Sequence, residues 1–162
     1  MPSLGNILAR RGGTPLTGRE VKLTILIPAT SGPPAVEQVT VMLYPVPESR
    51  KSAAFRAAEH YIAKCDQEAQ ETQGVSVAPG TMDERALRFL VEAMRQPEDA
   101  RRPFVESDRI DDLRNVILAV QVDYLVQQYN EMILAEYSEI REWKDFQQMK
   151  QQAESVFPSA SA

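Results

Sequence analysis

Between Ser107 and Tyr137 the chain runs for about thirty residues without a proline or a glycine, and its apolar residues return at helical spacing. At 1.5 Å per residue such a helix is roughly 45 Å long. A compact domain of 162 residues measures only about 40 Å across. The helix must therefore span the globule, break, or project from it. On a helical wheel, Ile110, Leu113, Ile117, Val120 and Tyr124 form one stripe. Leu118, Val122, Leu125, Tyr129, Met132 and Ile133 form a second, displaced by roughly a quarter to a third of a turn. Gln121 and Gln128 fall between the stripes and weaken any continuous coiled-coil seam. The first half is expected to cover the chain's own core. The second half has fewer evident partners, so it is the part expected to meet another protein.

The rest of the chain supplies material for one domain with a real core. Residues 1–18, with Arg10, Arg11, Gly12 and Gly13 among small and polar neighbours, read as a loose arm. Val21, Leu23, Ile25 and Ile27 then alternate with Lys22 and Thr24, and Val39, Val41 and Leu43 with Thr40, Met42 and Tyr44. With Ser31-Gly32-Pro33-Pro34 between them, they predict an antiparallel hairpin over about 21–44. Helical spacing follows over about 49–70, where Ala54, Phe55, Ala58, Tyr61, Ile62 and Cys65 share one side. A second helix, about 81–96, opens on a Thr81/Glu84 capping box and is stopped by Pro97. Pro103-Phe104 reads as an extended linker with Phe104 as a plug, and Ser107 as the cap of a long helix over about 107–150. The Ser/Ala-rich end, 151–162, reads as disordered. The fold class expected is α+β, mainly α: an N-terminal hairpin packed on three or more helices, the last of them long, all within a single globular domain spanning 19–150.

Composition narrows the function. A net charge of -5 argues against nucleic acid, which demands a concentrated positive surface. No apolar run reaches the roughly 20 residues needed to span a bilayer. One cysteine, Cys65, excludes an internal disulfide, so a reducing cytoplasm is the expected compartment. His60 is the only histidine and has no nucleophile signature beside it, and Cys65 at helical spacing reads as a small hydrophobe. Glu131, Glu136, Glu139 and Glu142 lack the Glu-x-x-His pairs of a di-iron bundle and read as a solvated acidic face. No phosphate-cradling glycine motif is present. No catalytic, metal-binding or cofactor-binding residue emerges, and the protein is expected not to be an enzyme. A carboxylate-rich catalytic pocket remains an option that bound metal in the purified protein would reveal.

Tyr129, Tyr137, Trp143 and Phe146 admit two readings, core or interface, since aromatic side chains serve both. The candidate protein-binding residues are therefore Tyr129, Met132, Ile133, Tyr137, Ile140, Trp143 and Phe146.

The order of elements carries a resemblance. An apolar hairpin, helices, the Pro103-Phe104 linker, Ser107-Asp108 and the helix Val122-Asp123-Tyr124-Leu125-Val126-Gln127-Gln128-Tyr129 are similar to the tail assembly chaperones of long-tailed bacteriophages and prophages. The similarity covers 21–137, with 87–129 its best part. It implies a non-catalytic factor in the host cytoplasm that binds the tape-measure protein, prevents its helices from aggregating and recruits tail-tube subunits. A frameshifted longer product often accompanies such proteins. The alternative is a structural subunit of a tail or head-completion complex, a homo-oligomer whose hairpin and long helix make the subunit contacts.

Overall fold

Alternation of apolar and polar residues makes the first hairpin, seen in a computed structural model that describes residues 3–9, 17–72 and 80–136. Strands β1 (Arg19–Ile27) and β2 (Ala35–Leu43) pair antiparallel along their whole length, with Val21 opposite Val41 and Leu23 opposite Val39. Gly32, at φ +87°, supplies the left-handed turn residue between them. The predicted apolar face is the buried one, since Val21, Leu23, Val41 and Leu43 all lie in the core. Ile27 is exposed, because the hairpin extends beyond the helices that cover its base.

Helix α2 (Glu48–Glu71) buries Ala54 and Ala58, and α3 (Thr81–Ala93) packs along it. Small side chains on α2 let the two helices approach closely. Helix α3 ends earlier than its apolar spacing predicts. Met94 is already extended, at φ -83° and ψ 127°, and is fully buried. It begins β3 (Met94–Gln96), which turns back at Pro97 into β4 (Asp99–Pro103). The expected linker is thus a second hairpin, and the sheet runs β1-β2-β3-β4, antiparallel throughout. Its central seam is short. Met42 pairs with Arg95, Leu43 with Met94, and the Tyr44 N–H donates to the Ala93 carbonyl at 2.9 Å. Phe104 packs partly buried against the core, as a plug should.

The long helix breaks. A 3-10 turn at Ser107–Arg109 leads into α4 (Ile110–Val116), then Ile117 turns extended (ψ 134°) and α5 (Ala119–Glu136) starts afresh. Ser107 makes no capping hydrogen bond, because the turn is entered one residue earlier at Glu106. Asp112 instead accepts from Arg109 Nε at 2.8 Å. At the break Ile117 forms an antiparallel bridge with Ile25 on the outer edge of β1. Gln121 of α5 extends that protection, and Gln128 ties down the Arg19 side chain at the start of β1. Gln121 Oε1 accepts the Thr24 N–H at 3.2 Å, and Gln128 Oε1 accepts from Arg19 at 3.3 Å. Gln121, which spoils a coiled-coil seam, thus serves to satisfy an edge strand.

The expected division of labour holds for the first half, where Ile110 and Leu113 are buried, but not for the second. From the first stripe only Ile110 and Leu113 are buried, while Val120 and Tyr124 face solvent. From the second, Leu125, Tyr129 and Met132 are buried against α3 and β1. Each fully buried leucine or methionine contributes about 1.5–3 kcal/mol over an exposed one, so the second stripe has the larger claim on the core. Within the arm expected over 1–18, Leu4–Ala9 forms a short helix, α1, with no buried residue. The 151–162 tail and the helix expected from 137 onward lie outside the described residues.

Candidate functional site

Glu84 is the one fully buried charged side chain among the described residues. As the third helical residue after Thr81 it was expected to reach back and close a capping box. Its N–H does make the first helical bond, to the Gly80 carbonyl at 3.0 Å, but its carboxylate points inward. There it accepts from Arg88 Nε and Arg114 Nη2, both at 2.8 Å, and from Arg114 Nη1 in a bidentate fork. The two guanidiniums also lie over the Tyr61 ring, Arg114 at 4.3 Å and Arg88 at 5.2 Å from its centroid. One carboxylate and one aromatic ring thereby lock α2, α3 and α4 together. Two charge-assisted partners outweigh the single N–H that a capping box offers, which accounts for the inward turn. The Glu84 bond drives the Arg114 guanidinium further toward its charged form, and the Asp111 carboxylate adds to it.

Tyr61 titrates above its ordinary value of 10.0, first because it is desolvated and then because it hydrogen-bonds Cys65, with Arg114 opposing. A raised value in the folded state stabilises the fold below the unfolded tyrosine's titration, and that contribution fades as pH rises above about 10. Denaturant titrations at pH 9 and 11 should show a steeper alkaline loss for the wild type than for Tyr61→Phe.

Beside this cluster lie two depressions, of about 330 Å³ between α2, α3 and the second hairpin and of about 120 Å³ between α2, α3 and the start of α4, which share Val91, Glu92 and Ser107. Arg50 and Arg95 face Glu92 and Glu106 around the larger, so its charges are mixed. Arg95 is also engaged with the Glu92 carbonyl at 3.2 Å. Among the described residues no cluster of three His, Cys, Asp or Glu side chains is arranged to hold a metal ion. His60 is exposed on α2 and Cys65 is half-buried rather than fully so. No described helix is long and apolar enough to cross a membrane.

The candidate binding residues divide. Tyr129 and Met132, at 8% and 0% exposure, belong to the chain's own core, and Ile133 packs half-buried against it. The Tyr129 ring meets Phe89 edge-on at 4.9 Å, and its hydroxyl accepts the Val46 N–H at 2.9 Å. Tyr129 and Met132 are therefore corrected from anchors for a partner to anchors of the fold. Their spacing was read correctly as one stripe, but spacing alone does not say whether the chain's own core or a partner covers it. Tyr137, Ile140, Trp143 and Phe146 lie outside the described residues.

What is open to a partner lies elsewhere. Val120 is 66% and Tyr124 39% exposed, one helical turn apart on α5. Ile27 and Val36 are exposed near the end of the first hairpin, and Leu4, Ile7 and Leu8 on α1. Only the wheel's first stripe pointed toward Val120 and Tyr124, and it pointed them at the core. No family model, curated protein or solved structure matches this chain.

Proposed function

We propose that this chain is a non-catalytic assembly factor of the tail assembly chaperone kind, which holds amphipathic helices of a tape-measure protein and recruits tail-tube subunits in the host cytoplasm. The observation that carries this reading is the pair Val120 and Tyr124, apolar and exposed on a helix whose opposite face is core. An apolar pair one turn apart is the smallest unit by which one helix seats another. The resemblance in element order from the hairpin to α5 supports the same reading. A structural subunit is the second reading, favoured by the exposed end of the first hairpin at Ile27 and Val36.

Co-expression with a tape-measure protein from the same genome tests the first reading. The wild type should raise the soluble fraction of that partner several-fold, and Val120→Asp with Tyr124→Asp should abolish the gain. Both sites are surface positions, so the double variant should stay within about 1 kcal/mol of wild-type stability. Undiminished solubilisation by the variant would sink the proposal. Closed rings of the purified protein alone would favour the structural subunit.

A further inference from the structure

The two sides of strand β2 are treated unequally. Toward β1 it is paired from Ala35 to Leu43. Toward β3 it is paired only at Met42 and Leu43. Strand residues alternate in the direction of their backbone groups, and the Tyr44 N–H points to β3, donating to Ala93. The even-numbered residues Val36, Gln38 and Thr40 therefore direct their N–H and C=O groups away from β1. Among the described residues nothing pairs with these groups. The contrast with β1 is sharp, since its outer edge is closed by Ile117 and Gln121. The open edge is lightly protected: its register with β1 is regular over the full length, it carries no lysine and no internal proline, and Glu37 is its one charge. Val36 is 64% exposed along it.

We infer that this edge pairs with the same edge of a second copy of the chain, antiparallel and across a two-fold axis at Gln38. The slot itself argues for that occupant. It is bounded by Pro34, which lacks an N–H, at one end and by the β3 pairing at Met42 at the other. The open stretch 35–41 is thus symmetric about Gln38. Centred there, Val36 meets Thr40 of the second copy, Gln38 meets Gln38, and every outward backbone group of the stretch finds a partner. The charges agree as well. Glu37 is the only charged residue in the stretch, and this register sets it opposite Val39 of the second copy instead of opposite its own mate. The first hairpins then form a continuous four-stranded ribbon, with the helices of both copies on the same face. A strand-edge contact is small, so the dimer should dissociate over the micromolar range. The pairing needs no other protein and stands or falls independently of the chaperone reading.

Sedimentation velocity of the full chain across micromolar concentrations tests it. The wild type should show a monomer–dimer equilibrium. Gln38→Lys and Gln38→Glu each place like charges on the axis and should weaken dimerisation at least about fivefold. An equimolar mixture of the two should restore the dimer, because opposite charges then meet. Gln38→Pro, which removes an outward N–H but leaves the bonds to β1, should also be monomeric with an unchanged far-ultraviolet circular dichroism spectrum. A wild type that is monomeric throughout, single variants that dimerise as the wild type does, or a mixture that restores nothing would each overturn the proposal.

Discussion

Replacing Glu84 by alanine should destabilise the protein by about 3–5 kcal/mol, the usual cost of removing one member of a buried ion pair. The size follows from its position. The carboxylate is 1% exposed and holds guanidiniums from two directions, Arg88 from its own helix and Arg114 from α4. Alanine would leave both arginines facing a void between helices, with the side chain of Arg114 already only 23% exposed. Glu84→Gln should cost less, since an amide oxygen still accepts one of those hydrogen bonds. A denaturant titration reads the loss directly, as a lower midpoint at nearly constant slope. The effect should also be local to α4. Arg114 is its tie to α3, so amide exchange across Ile110–Val116 should accelerate more than across β1 and β2. Equal stability of Glu84→Ala and wild type would mean that the cluster is a passenger.

Tyr129→Ala should cost about 3–5 kcal/mol, as other buried aromatic truncations do. The ring fills the space between α5 and α3, edge-on to Phe89, while the hydroxyl closes the backbone after β2 at Val46. Tyr129→Phe separates the two roles. It keeps the ring and orphans one half-buried N–H, so about 1 kcal/mol should be lost. Exchange of the Val46 amide should quicken in that variant. If Tyr129 anchored a partner instead, Tyr129→Phe would reduce tape-measure capture and leave the denaturation midpoint where it is.

Much of the fold was legible in the residue pattern. The alternation in 21–27 and 39–43 marks a hairpin and its inner face, and both are seen with Val21, Leu23, Val41 and Leu43 buried. Helix α2, Glu48–Glu71, contains the whole apolar periodicity from Ala54 to Cys65 and runs on through the polar residues 66–71. The second hairpin was not legible. Its strands read Met-Arg-Gln and Asp-Ala-Arg-Arg-Pro, too short and too polar to alternate, and they pair because β2 presents an edge beside the end of α3. The exposed pair on α5 was hidden for a related reason. Its residues are apolar at core-like spacing, and nothing local distinguishes a stripe that will be covered from one that will not.

The run from Ser107 to Tyr137 shows the boundary most clearly. Its own residues determined that it would be helical and that it would carry two apolar stripes, because both follow from short-range sterics and from spacing along the chain. They also implied that a rod of that length would have to break, span the globule or leave it. Where it breaks, and which stripe turns inward, were decided by tertiary contacts. Val-Ile-Leu-Ala at 116–119 has no local reason to leave a helix, yet Ile117 does so, because the outer edge of β1 offers it a pairing partner at Ile25. Helix propensity differs by only tenths of a kcal/mol among such residues. A strand edge satisfied and a stripe of Leu125, Tyr129 and Met132 buried are worth several times that.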